Sequence, residues 1–403
     1  MTKERNRYFA ASGRLLLLMS ALVVFGLSLY GTASAALKPV PPATQGLIAS
    51  PGSATDDLDA RIASDGKHLW FAKTFQDKKF EVFTQAFELR NGKWKSISGR
   101  LPSSNAAGVQ FVAVRNSKST STPCMSYSNR KDKPRVRCYQ GSRWHSKSLP
   151  RLASFSFTGM NATGRTATGL MGNWVDGVTT IQIVKLKGDR FVTSGPAFRI
   201  KGQYVWGLGQ TTSDAKSGKV DVGLADLTPY GDDHWLVATL REGRWSQTKK
   251  LTTGSGSHIS GPVRTGKSLV IPVNDSTTEK FWSMTAFSYS AKKWSQIGAD
   301  PFSNGLGSAQ GGTYAVGTDV WAIWNENDFS NVGTFGDPGP SWTFAARLNS
   351  KGTAFGKPIK LWHGDASFPG SVQAVEYRGH PVFLYSRQFK PYMGQETVDL
   401  SHR

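Results

Sequence analysis

Four tryptophans of this 403-residue chain directly follow a basic residue: Lys93-Trp94, Arg143-Trp144, Arg244-Trp245 and Lys293-Trp294. The successive intervals are 50, 101 and 49 residues, and Arg190-Phe191 stands where the double interval leaves room for a further member. Upstream of each pair runs an alternating apolar and polar segment, such as FEVFTQAFEL or HWLVATL. A small polar turn, Arg90-Asn91-Gly92 or Arg241-Glu242-Gly243, joins that segment to the aromatic residue. This is the pattern of a β-hairpin returning at a fixed period.

Each period holds two more strand-like runs, so a unit reads as four short antiparallel strands: ARIASDG, HLWFAKT, FEVFTQAFEL and KWKSIS in the first. Four strands repeated every 40 to 50 residues are the signature of propeller blades. The fold expected is all-β, a seven-bladed β-propeller of four-stranded antiparallel blades over residues 55–403. The units fall at 55–102, 105–150, 153–200, 202–251, 255–300, 306–363 and 366–403. The last unit ends one strand short. Residues 36–54 are read as an N-terminal segment whose stretch Thr44 to Ser50 supplies that strand and closes the ring, which removes exposed sheet edges.

The composition agrees with short strands and tight turns: 43 glycines, 13 tryptophans, 38% hydrophobic and 19% charged residues. With 2 cysteines it excludes a disulfide mini-scaffold, a collagen and a polytopic membrane protein. Residues 1–35 read as a signal peptide. Lys3, Arg5 and Arg7 precede an almost wholly apolar run from Leu15 to Tyr30, and Gly31 to Ala35 form a small-residue cleavage site. The expectation is a secreted or cell-envelope protein that starts at Ala36 and keeps no stable transmembrane anchor. Removing that leader takes four basic groups and one acid from a net charge of +21 and leaves +18. So basic a protein attracts anionic polymers.

The end of a unit, a polar turn, Trp and a short outer strand closing near Leu-Pro (KWKSISGRLP, RWHSKSLP), resembles the end of a kelch repeat, without the Gly-Gly pair of that family. Ser64-Asp65-Gly66-Lys67-His68-Leu69-Trp70 is distantly similar to the Asp-box of sialidase propellers, one residue out of register. Phe198-Arg199-Ile200 resembles their F-R-I-P motif, with Lys201 in place of the proline. Both resemblances imply a degenerate propeller, and neither transfers an activity.

Cys124 and Cys138 stand symmetrically about Lys131 in a strand, a charged turn and a strand, so facing hairpin positions bring them within disulfide distance. The basic-aromatic pairs read chiefly as packing between neighbouring sheets, with the cation turned outward. Binding is expected instead at the opposite, loop-rich rim of the channel. Three acid-bearing loops belong there: one with Asp57, one with Asp232 and Asp233, and one with Glu326, Asp328 and Asp337. Such acids suit a Ca²⁺ ion or a glycosidase carboxylate pair, yet no metal site and no cofactor is assigned. There is no G-x-S-x-G, HExxH or P-loop motif. The function expected is therefore a secreted, non-enzymatic propeller that binds a glycan, an anionic cell-envelope polymer or a protein partner, and no specific nucleic acid. The alternative is a glycoside hydrolase or polysaccharide lyase whose carboxylates come from different blades.

Overall fold

The computed structural model describes residues 46–47, 54–104, 108–115, 121–152, 155–163, 166–215, 218–226, 233–253, 261–278, 281–298, 308–327, 341–364, 372–389 and 393–399. The expected leader, and most of the segment up to residue 54, lie outside them. Every regular element among the described residues is a β-strand.

The strands assemble into sheets that follow one another along the chain, built from residues 54–102, 110–147, 156–201, 204–253, 263–296, 308–364 and 373–399. In most of them the chain steps outward from an inner strand to an outer one, and in the 373–399 sheet the outermost strand is Gly46–Leu47. In four of the sheets the turn between the third and fourth strands is a two-residue hairpin with both residues at positive φ: Asn91 and Gly92 (50° and 72°), Gly141 and Ser142 (55° and 65°), Glu242 and Gly243 (49° and 76°), and Ala291 and Lys292 (48° and 63°). That backbone follows the right-handed twist of the flanking strands.

Neighbouring sheets share their cores, because each buries apolar side chains on both faces. Phe71 of the 54–102 sheet packs with Leu384 of the 373–399 sheet. Trp70 packs with Met125, Val136 with Met171, Ile181 with Val222, Val237 with Ile271, Val270 with Val320 and Trp321 with Phe383. These contacts run from each sheet to the next and return to the first, the closed arrangement of a β-propeller. At the closure, Gly46 and Leu47 pair antiparallel with Val398 and Thr397 on the edge of the 373–399 sheet.

The expectation of seven uniform, four-stranded antiparallel blades is corrected. The 54–102, 156–201, 204–253 and 263–296 sheets each have five strands. The reason is a mismatch of lengths. Val82–Arg90 has nine residues but its outer partner Lys93–Ser96 only four, and Leu101–Pro102 pairs with the edge left open. Phe198–Lys201 and Leu251–Thr253 do the same for their own third strands. The fifth strand of the 263–296 sheet is of another kind. Gln210–Thr211 arrives from the preceding sheet and pairs in parallel with Val263 and Arg264.

Cys124 and Cys138 are direct cross-strand partners and form the expected disulfide across a separation of 14 residues. By loop entropy such a bridge contributes roughly 3 kcal/mol.

Candidate functional site

In an antiparallel sheet the end of the first strand, the start of the second, the end of the third and the start of the fourth share one end. At that end of the channel the inner strands leave a cavity of about 780 Å³. Every sheet of the ring contributes to it or borders it, and small side chains make the space: Ala63, Ala113, Ala162, Ala315 and Ala374 stand at the inner strand ends.

The inner strands turn an unpaired edge toward the channel, and side-chain amides of neighbouring sheets satisfy part of it. Ile62 N donates to Gln373 Oε1 (2.9 Å) and Ala315 N to Gln210 Oε1 (2.9 Å), while Asn161 Nδ2 donates to Gly209 O (2.6 Å). Buried backbone groups need such partners, so these residues are part of the frame as well as of the lining.

One segment shapes the cavity more than any other. After the inner strand Tyr204–Leu208 the chain does not turn directly into Lys219–Asp226 but makes an excursion described over residues 209–215. Gln210 N bonds Pro262 O, Thr212 N bonds Arg264 O, and Ser213 N reaches Gly317 O (2.7 Å) two sheets away. A Cβ at Gly209 would meet Pro262 O at 2.7 Å, and one at Gly261 would meet Leu208 O at 1.9 Å, so this crossing requires glycine.

Below the excursion, Asp221 and Arg264 form a bidentate ion pair with both bonds at 2.6 Å, and Thr239 Oγ1 donates to the same carboxylate. Both side chains are buried, and they join the 204–253 and 263–296 sheets. Asp65, on the turn of the 54–102 sheet, accepts from Lys67 N (2.8 Å), His68 N (2.7 Å) and His68 Nδ1 (3.0 Å). Burial works to raise its pKa, but the bonds from His68 and Lys67 outweigh it and hold the carboxyl below its ordinary 3.8. Glu376, Lys219 and Arg115 complete the charged lining.

Of the acids singled out by sequence, Asp57, Asp233 and Glu326 fall on described strands, and none of the three stands at this end. Asp57 lies in Ala54–Ser64 opposite Phe75, and Asp233 opens Asp233–Arg241 opposite Thr253; both are placed by backbone alone. Glu326 is fully buried near the end of Asp319–Asn327, and its carboxylate accepts from Trp324 Nε1 (2.7 Å). Strand direction puts all three at the other end of the channel. Asp232, Asp328 and Asp337 lie outside the described residues. No group of three metal-ligating side chains occurs among the described residues. None of their helices is long and apolar enough to cross a membrane.

The basic-aromatic pairs open outer strands. Their cations are exposed and their indoles turn inward. Trp144 Nε1 donates to Ile97 O (2.8 Å), Trp245 Nε1 to Pro196 O (2.7 Å) and Trp294 Nε1 to Lys249 O (2.7 Å), each reaching back one repeat to the preceding sheet. Trp144, Trp245 and Trp294 are thus hydrogen-bonded ties between sheets, while Trp94 packs against Phe71 (ring centroids 5.9 Å) without such a bond.

No protein-family model and no curated protein matches the chain. Among solved structures, it is similar to the β-propeller domain of the trilobed protease from Pyrococcus furiosus, described as having an open velcro topology. The identity is 10%, with 86% of this chain and 94% of that chain covered and a TM-score of 0.50. Weaker likenesses are the Trypanosoma rangeli sialidase in complex with sialic acid (9% identity, 86% and 54% covered, TM-score 0.43) and the fucose-binding lectin of Aleuria aurantia (12%, 76% and 97%, 0.42). The protein is a β-propeller, distant in sequence from these neighbours.

Proposed function

We propose that the protein is an exported, non-catalytic binding propeller that takes part of a glycan into the cavity at the strand-end mouth of its channel. The observation that carries this reading is the cavity itself. Its volume of about 780 Å³ falls in the range of ligand sites. Around it stand Thr211, Ser213, Gln210 and Gln373, whose hydroxyl and amide groups suit a polyhydroxylated ligand. With their Oε1 atoms engaged, the two glutamines offer amide N–H donors.

Two of the three acids of the lining, Asp65 and Asp221, favour binding over hydrolysis. A glycosidase needs a carboxyl group whose pKa is raised so that it carries a proton to the leaving group. Asp65 is held in the opposite direction and Asp221 is locked to Arg264. Export rests on the leader read in residues 1–35, and sequencing of the secreted protein from its N-terminus should begin at or near Ala36.

The cavity is tested with a glycan array on the secreted protein beside Ser213→Trp. Ser213 is exposed on the lining and is held by its backbone, so the indole fills the space without removing a frame bond. Binding of the best glycan should weaken at least about tenfold, or 1.4 kcal/mol. Unchanged binding contradicts the site, and release of new reducing ends contradicts the non-catalytic reading.

A further inference from the structure

The cavity opens at the centre of a face that carries cations on nearly every turn. At its inner rim Lys67, Arg115, Lys267 and Arg378 are exposed on or beside the turns that end the first strands. Farther out, the hairpins between third and fourth strands expose Arg143, Lys187, Arg190, Arg244, Lys292 and Lys293. The strand argument that locates the cavity puts all of these turns at the same end. The acids on these turns are largely matched: Glu88 pairs with Arg90, Asp189 with Lys147, Glu242 with Arg241 and Asp319 with Arg347. Around the cavity Asp65, Asp214 and Glu376 stand against Lys67, Arg115, Lys219, Lys267 and Arg378, so the inner rim keeps a surplus of cations, and closely spaced like charges raise the local concentration of an anionic partner.

The same face is poor in exposed rings. The large apolar side chains exposed among the described residues, Phe80, Trp174 and Val175, all stand on turns between second and third strands, at the opposite end. The hairpin indoles are turned into the ring of sheets, and those of Trp144, Trp245 and Trp294 are bonded there. A surface that grips single-stranded nucleic acid combines cations with aromatic platforms for the bases. Here cations surround a cavity of hydroxyl, amide and small apolar groups.

We infer that the ligand is a linear anionic glycan or polyol-phosphate chain, its sulfate, carboxylate or phosphodiester groups lying on the cationic rim while a sugar or polyol unit enters the cavity. This inference deepens the glycan-binding reading and rests on it for the cavity alone.

The test measures affinity of the secreted protein for heparin, poly(glycerol phosphate), neutral dextran and an oligothymidylate as a function of salt. Affinity for one of the two anionic chains should fall roughly a hundredfold or more between about 50 and 200 mM salt. The tighter of the two identifies the source of the anionic groups. Lys67→Gln/Lys267→Gln/Arg378→Gln, at exposed positions outside the cavity lining, should weaken binding about tenfold or more and reduce the salt slope by about 2 to 3. Lys78→Gln/Lys79→Gln/Lys131→Gln removes equal charge from the opposite end and should change affinity less than about twofold. Unaltered melting verifies the fold of each triple, and Lys267→Gln alone, on an exposed turn, gives a smaller loss of the same sign.

Equal losses in the two triples, salt-independent binding, or oligothymidylate binding at least as tight as either anionic chain would overturn the inference. The outcome is separable from that of the cavity. A harmless Ser213→Trp beside a damaging rim triple removes the cavity and keeps the cationic face, and the converse removes the face and keeps the cavity.

Discussion

The two ends of the channel are made by the same strands and differ in how they are finished. At the strand-end mouth the connections are mostly tight turns, and polar ties between sheets fix the lining: Gln373 to Ile62, Gln210 to Ala315, Asn161 to Gly209 and Asp221 to Arg264. At the other end Phe80 is 78% exposed and Trp174 50% exposed, and the buried acid Glu326 is engaged by Trp324 within its own strand. Chain closure alone thus does not make a site. Ties across sheet boundaries occur at the other end too, as Ser104 N to Ser128 O and Arg130 to Glu81. At the strand-end mouth, however, they line a cavity, and a preorganised site loses little freedom on binding.

If that contrast is right, cutting a tie at the strand-end mouth should have the largest consequence. Asp221→Ala leaves the Arg264 guanidinium buried without its carboxylate, and denaturant unfolding should show a loss of about 3–5 kcal/mol. Glycan affinity should fall with it. Full stability in this variant would mean that the pair does not join the sheets energetically.

A smaller effect is expected farther out on the same face. Trp245→Phe keeps the ring but removes the bond to Pro196 O, and should cost about 1 kcal/mol in the same assay. Trp294→Phe should match it, since Trp294 makes the equivalent bond one repeat later. Unequal losses would show that the repeat is geometric without being energetic.

The turn at Asp65 adds a pH dependence. Its folded pKa lies below the ordinary 3.8, so the stability it contributes is complete above that value and is lost as pH falls through the folded pKa. Asp65→Asn should flatten the acid limb of the stability profile below about pH 4, leaving the neutral region parallel to that of the unaltered protein. An unchanged acid limb would assign it to other carboxylates.

The opposite end should be nearly silent. Phe80 sits at φ 61°, where Asn is better tolerated, so Phe80→Asn should change stability by no more than about 0.5 kcal/mol, upward, and leave affinity for the anionic chain as it was. A marked loss of affinity would move the site to that end.

What sequence could reveal follows the same division. The hairpins were legible because Lys93-Trp94 and its equivalents combine a local turn with a recurring indole, and the disulfide because Cys124 and Cys138 flank one turn at equal distance. The fifth strands were not, since Leu101–Pro102 or Phe198–Lys201 is too short to signal pairing with a strand well upstream. The parallel contact of Gln210–Thr211 depends on a strand fifty residues later, and GQTTSDAKSG reads only as a polar loop. The cavity left no motif because its lining mixes small residues with Gln210, Gln373 and a few charged groups at the ends of separate strands. Acid-rich loops drew attention by composition, whereas convergence of strand ends exists only in three dimensions.

The central claim is that ligand is held at the strand-end mouth. Hydrogen–deuterium exchange of the secreted protein, with and without a saturating anionic glycan, tests it most directly. Slowed exchange should appear at residues 64–68, 210–215, 266–268, 317–318 and 376–379, with residues 77–81 and 174–178 unchanged. Protection confined to 77–81 and 174–178 would contradict the account and place the binding surface at the other end of the channel.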